Sequence, residues 1–190
     1  MGRAKLLLPF AGTTLLRRVV ERVARARIDD LLVVLGADAP ALRAELVDLP
    51  CRVAQNPDFG SGMGTSFRAA VEALAPDVTG ALFALADQPF VTTAMCDALL
   101  KAYREMRPLA ALARFGGIVA PPHVVDRELF PALGNTKSGG VKALLYEHWD
   151  RCVVLDFPEE GLLDVDDPES YARALAHARN SADGTDSEPR

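Results

Sequence analysis

The chain has 190 residues, 49% of them hydrophobic and 25% charged, with a net charge of −5 and an isoelectric point near 5.2. That is enough chain for one domain with a real core, and the acidic balance argues against nucleic acid as a general partner. No apolar run reaches the length of a membrane span, the N-terminus has no signal-peptide pattern, and the cysteines, Cys51, Cys96 and Cys152, form no C-x-x-C pair. Neither a disulfide framework nor a zinc site is indicated, and small buried thiols in a cytoplasmic, membrane-free protein are expected.

The first element is a helix capped by Thr13 or Thr14, because Leu15, Leu16, Val19, Val20 and Val23 recur at helical spacing. Residues 31–36, Leu-Leu-Val-Val-Leu-Gly, read as a buried strand, and Asp38 followed by Pro40 opens a short helix. A short strand over 51–54 leads into a glycine-rich loop, 55–64, and helix returns over 65–74. Residues 81–86, Ala-Leu-Phe-Ala-Leu-Ala, are long enough for a strand buried on both faces and too short for a typical helix. A helix over 93–107 follows, then a strand near 109–113 and a Gly/Pro-rich segment over 116–122 leading to His123. Short helices are expected over 127–133 and 138–149, strands over 151–157 and 162–165, and a last helix from Asp167-Pro168-Glu169 to about residue 179. Strands alternating with helices at this spacing predict a mostly parallel sheet covered on both faces. The domain is expected to span residues 1–180, and the polar residues 181–190 to form a disordered tail.

Four stretches carry chemistry. Asp87 ends the apolar 81–86 run, where an open α/β sheet binds its ligands. A carboxylate there either holds a divalent metal beside a phosphate ester or caps the next helix. The loop Gly60-Ser61-Gly62-Met63-Gly64-Thr65-Ser66 leads into a helix with three glycines in five residues, so its backbone N–H groups can face a ligand, or it is only a turn. In Asp164-Val165-Asp166-Asp167-Pro168, Asp167 is a natural cap for the last helix. If the short strand persists, Asp164 and Asp166 project to one side, where the acids either share a cation that relieves their repulsion or form a solvated acidic turn. Lys5, beside Leu6-Leu7-Leu8-Pro9-Phe10, can reach phosphate oxygens or lie on the surface. Among the histidines, His123 could touch an acceptor, His148 packs or caps, and His177 is expected at the surface.

The order of Met1 to Phe10, Asn56 to Ser66, Asp87-Gln88-Pro89 and Asp164 to Glu169 resembles the molybdenum cofactor nucleotidyltransferases, the cytidylyltransferases most of all. The resemblance implies a three-layer Rossmann-like nucleotidyltransferase fold. It also implies Mg2+-dependent transfer of a nucleotidyl group from a nucleoside triphosphate (CTP, with GTP as the alternative) to the phosphate of a molybdopterin-type acceptor. A molybdenum enzyme or its maturation chaperone would be the onward partner. By motif, Asp87, Asp166 and the weaker candidate Asp164 would hold the metal, and Lys5 and Asp87 would be catalytic. Lys5, Gly60, Gly62, Met63, Gly64 and Ser66 would meet the nucleotide, with segment 117–123 and the Gly139-Gly140 loop on the acceptor side. Against the family pattern, Met1-Gly2 corresponds to the end of a phosphate loop, so the first strand and that loop are expected upstream of Met1. If they are absent, a nucleotide- or cofactor-binding protein without turnover is the alternative. A second departure is Gly134 to Lys142, where Asn135 and Lys142 stand in place of the family's acid and arginine.

Overall fold

The computed structural model describes residues 5–134 and 140–182. After a single 3-10 turn at Lys5–Leu7, a small hairpin pairs β1 (Pro9–Phe10) with β2 (Thr13–Thr14). Its two central residues, Ala11 and Gly12, both have positive φ, as a two-residue hairpin turn requires. Helix α1 (Leu15–Ala24) starts at Thr14, whose hydroxyl accepts from the Arg17 N–H, and the five apolar residues at helical spacing are all buried. Strand β3 (Leu32–Leu35), helix α2 (Ala39–Ala44) and strand β4 (Arg52–Gln55) form a β-α-β unit with β3 and β4 parallel, Leu32 opposite Arg52 and Leu35 opposite Gln55. Helix α3 (Met63–Ala73) follows the glycine-rich loop.

The second half is built on β5 (Gly80–Phe83), α4 (Thr93–Met106), β6 (Ala110–Phe115), β7 (Ile118–Asp126), α5 (Phe130–Leu133), α6 (Gly140–Glu147), β8 (Cys152–Phe157) and α7 (Pro168–Ala182). Its four strands lie in the order β5-β7-β6-β8. Only β6 and β8 are parallel; β7 runs against both β5 and β6. The expectation of a mostly parallel sheet is therefore corrected to a mixed one. The Gly116-Gly117 turn, with φ of 54° and 85°, joins β6 to β7 directly, and so short a connection permits only antiparallel pairing.

Prolines hid β7 from sequence reading, since a proline cannot donate to a ladder. The β6–β7 register breaks where they sit: Leu112 pairs with His123 and Arg114 with Val119, leaving residues 120–122 bulged opposite Ala113. Two other expectations change. Segment 162–165 is not a strand, because a 3-10 turn occupies Glu159–Leu162 and the following residues join no ladder. Strand β5 stops at Phe83, and all four of its residues are half-buried rather than buried.

The layers follow from the alternation on the central strand. Ala111, Ala113 and Phe115 of β6 face α1 and α4 through Val19, Val23, Met95, Cys96, Leu99 and Tyr103. Ala110 and Leu112 face the other side, among Phe130, Leu133 and Leu145 of α5 and α6, with Val71 and Leu74 at the end of α3 packed alongside. This is a three-layer α/β/α arrangement. Among the described residues β3 pairs only with β4, and β5 only with β7. Helix α7 reaches residue 182; the rest of the expected tail, 183–190, lies outside the described residues.

Candidate active site

Asp87 lies in the turn beyond β5, and it does not cap α4. That role belongs to Thr92, whose Oγ1 accepts from the Met95 N–H at 3.2 Å. The turn is held from two sides. The Asp87 carbonyl accepts from the Val165 N–H at 3.0 Å, and Arg22 Nη1 donates to the Pro89 carbonyl at 2.6 Å. Beside Asp87, Gln88 is 3% exposed, and its Oε1 has no hydrogen-bond partner.

Val165 positions the second acidic stretch. It is fully buried in a cluster with Phe10, Leu15 and Ala174, and its neighbours Asp164 and Asp166 are both exposed. Ser170, itself buried, accepts from the N–H groups of Asp166 and Asp167 at 3.0 Å each. Asp167 Oδ1 accepts from the Ser170 N–H at 2.7 Å, so this acid serves the start of α7 as its sequence position predicts. That backbone hydrogen bond is the main cause of its lowered carboxyl pKa.

Lys5 joins the two stretches. Its Nζ donates to Asp87 Oδ2 at 2.7 Å and to Asp166 Oδ1 at 2.7 Å. The two carboxylate oxygens are therefore no farther apart than twice that distance. Burial pulls the Lys5 ammonium down, but the hydrogen bonds to Asp166 and Asp87 outweigh it and leave the pKa raised. Burial, then the charge of Asp166 and more weakly that of Asp87, raises the Asp164 carboxyl, so Asp164 feels the pair without joining the hydrogen bonds. Among the described residues, no three metal-ligating side chains stand close enough to form a ready cluster.

The glycine loop lies beyond the end of β4. A 3-10 turn at Phe59–Ser61 contains Gly60, and Gly62, with φ of 108°, stands at the N-terminus of α3. Met63 and Gly64 open the helix, and Met63 is 63% exposed. The helix begins at Met63, two residues earlier than the expected start at Thr65. Thr65 Oγ1 instead donates to the Gly62 and Asp58 carbonyls at 2.8 and 3.1 Å.

Asn56 organises this loop, a role that its place before Pro57 did not announce. Its side chain is buried; Nδ2 donates to Thr65 Oγ1 at 2.8 Å and Ser66 Oγ at 3.0 Å, and Oδ1 accepts from the Asp58 N–H. A shallow cleft of about 300 Å³ beside it is lined by Asn56, Asp58, Thr65 and Arg68. Lys5, Asp87 and Asp166 thus meet through direct bonds, whereas Gly60, Gly62, Met63, Gly64 and Ser66 have no recorded hydrogen bond or ion pair to them.

Other expectations fare differently. His123 sits in the buried part of β7 between Phe83 and Leu112, its Nδ1 unpartnered, and burial lowers its pKa to about 4. His177 is not a free surface residue, since its ring packs edge-on against Phe90 at 4.7 Å. The Asn135 to Gly139 part of the expected acceptor loop lies outside the described residues. Among the thiols, Cys96 is buried, and Cys51 and Cys152 are half-buried.

A three-layer α/β fold with acids and a lysine gathered beyond its strand ends, and a glycine loop opening a helix, is that of the Rossmann-like nucleotidyltransferases. Residues 1–152 match the MobA-like NTP transferase domain, and the chain belongs to that family. It is 32% identical over 186 residues to nicotine blue oxidoreductase of Paenarthrobacter nicotinovorans, covering 92% of this chain and 90% of the relative. The solved structure of Rv0371c from Mycobacterium tuberculosis H37Rv, in complex with manganese, superposes with a TM-score of 0.78 at 27% identity, covering 92% of this chain and 93% of that one. Molybdopterin-guanine dinucleotide biosynthesis protein A of Archaeoglobus fulgidus shares the fold, with a TM-score of 0.67 at 16% identity over 94% of this chain and 92% of its own.

Proposed function

We propose that this protein transfers a nucleotidyl group from a nucleoside triphosphate, CTP in the first instance, to the terminal phosphate of a molybdopterin-type acceptor, with Mg2+ bound and pyrophosphate released. The observation that carries the reading is the single ammonium shared by Asp87 and Asp166. Two carboxylates from distant parts of the chain have been brought around one positive charge, the arrangement a hard divalent cation requires of oxygen ligands. Asp164, its carboxyl raised by burial and then by its acidic neighbours, adds an oxygen donor nearby. The residues present therefore fit the metal, and the manganese complex of Rv0371c is in keeping with such a site.

Attack on an α-phosphate draws anionic oxygens together, so neutralising charge and holding the groups in line supply most of the catalysis. Asp87 and Asp166 would hold the metal, Asp164 standing as the weaker ligand, and the metal would offset charge on the donor and acceptor phosphates. Lys5 would bind the triphosphate and stabilise the departing pyrophosphate. Gly60, Gly62, Met63 and Gly64 would bring the backbone close to the nucleobase, with Ser66, held by the Asn56 staple, reading its polar edge. Residues 1–180 would act as one domain in the cytoplasm, passing product to a molybdenum enzyme or its maturation chaperone.

Pyrophosphate release with molybdopterin acceptor and CTP, compared with GTP, tests donor choice; equal release with both would remove the preference for CTP. Asp87→Asn is expected to lower turnover by about 10²–10³-fold with the fold intact, and unchanged turnover would remove the metal assignment.

A second reading rests on the 32% identical relative, which is named as an oxidoreductase. On that reading the nucleotide site takes a nicotinamide dinucleotide and passes hydride to an aromatic acceptor. Consumption of NADPH in the presence of nicotine blue, undiminished in Asp87→Asn, would favour it over nucleotidyl transfer.

A further inference from the structure

We propose that Lys5 occupies the divalent-cation position of the metal-free protein, and that the metal and the Lys5 ammonium exclude one another at Asp87 and Asp166. This deepens the metal reading above and rests on it. The geometry behind it is specific. One ammonium nitrogen lies 2.7 Å from an oxygen of each acid, and these are the only ion pairs recorded for Asp87 and Asp166 among the described residues. The side chains of Lys5 and Asp87 are only 34% and 21% exposed, so the pair is shielded from screening more than an open surface contact is.

The backbone supporting these groups is fixed independently of the lysine. Asp87 is tied to Val165 through its carbonyl, Asp166 is tied to Ser170, and Val165 is fully buried. The acids therefore stay together when the ammonium leaves. Lys5 instead reaches them on a four-carbon stem from a single 3-10 turn, and such a stem can swing.

Two consequences follow. A divalent cation must displace an ammonium before it can bind both carboxylates, so the lysine weakens metal binding when no nucleotide is present. Once displaced, Lys5 has lost its counter-ions and is left beside the site with a charge to satisfy, which a triphosphate does. Metal loading and triphosphate binding thereby become coupled through one side chain: each favours the state in which Lys5 has left the acids. The metal site stays weak until its proper co-substrate arrives.

The test is Mn2+ binding without nucleotide, followed by calorimetry or by the electron-spin signal of free Mn2+, in wild type, Lys5→Met and Asp87→Asn. Lys5→Met is expected to bind Mn2+ about tenfold more tightly than wild type, and Asp87→Asn to lose the site. Equal or weaker binding by Lys5→Met, with Asp87→Asn still losing the site, overturns the exclusion while leaving the metal reading intact. Mn2+ binding that Asp87→Asn does not alter, or no binding by any of the three, overturns both.

A second measurement needs no variant. Acylation of lysine amines in wild-type protein, read by mass spectrometry, should rise at Lys5 when Mn2+ is added and fall again when CTP joins it. Lys101, exposed on α4, serves as the internal reference. Lys5 labelling that Mn2+ does not change overturns the proposal.

Discussion

The region of the molecule around β6 and the region around β3 and β5 are both built on apolar strands, yet they are packed differently. In β6, Ala110 to Ala113 and Phe115 are fully buried, and α4 buries Met95, Cys96, Leu99, Leu100 and Tyr103 over it. In β3 only Leu35 is buried, in β4 and β5 nothing is, and α3 buries none of its residues. Composition does not account for the contrast, since Leu-Val-Val-Leu in β3 is more hydrophobic than Ala-Ala-Leu-Ala-Arg-Phe in β6. Pairing accounts for it: β6 has a hydrogen-bonded neighbour on each side, whereas β3 and β5 have one each among the described residues. A strand becomes core when both its edges and both its faces are covered. The Asp87 turn and the glycine loop both hang from the less covered region.

The largest expected effect separates the two regions directly. Leu112→Ala, at a fully buried position of β6, should cost about 2–5 kcal/mol in denaturant unfolding. Leu82→Ala, on half-buried β5, should cost clearly less, and equal losses would break the comparison.

The seam between the two regions should be pH-sensitive. His123 of β7 pairs with β5 on one side and β6 on the other, and burial lowers its pKa from 6.5 to about 4. The unfolded chain takes up the proton first as pH falls. The neutral histidine's contribution is therefore fully present above pH 6.5 and is lost progressively between about 6.5 and 4. The loss from this group amounts to about 3 kcal/mol. His123→Gln should flatten the stability–pH curve across that window; an unchanged slope would assign the acid sensitivity to the carboxylates.

Amide exchange sharpens the contrast further. Protection in β6 and in β7 next to it should exceed that in β3, β4 and β5 by about tenfold or more. The smallest effect is local. Thr92→Ala removes the cap of α4 and should cost about 1 kcal/mol, without disturbing the Asp87 turn on which metal binding would rest.

The site was legible to the extent that single residues carried a signal. Asp87 stood out because a carboxylate ended an apolar run, and Asp166 because Asp167 was already committed as the cap of α7. Lys5 was weak alone and rose through the resemblance. Asn56 and Ser170 were missed: one is a buried amide that staples a loop, the other a buried hydroxyl that holds Asp166, and each is defined by partners that adjacent letters do not reveal. Strand β7 was missed because its prolines argue against a ladder, and the bulge that accommodates them exists only once β6 lies beside it. Segment 162–165 alternates as a strand would, with Val165 buried between two exposed acids, yet nothing pairs with it.

By itself the sequence determined roughly which stretches form helices, where the side-chain-capped ones such as α1 and α4 start, and that apolar strands alternate with them, because periodicity and capping are local properties of the chain. Strand order, the antiparallel course of β7 and the meeting of Lys5, Asp87 and Asp166 were decided only in three dimensions. Pairing partners and shared charges join residues 82 and 161 positions apart, and their energies depend on distances that the folded chain alone sets.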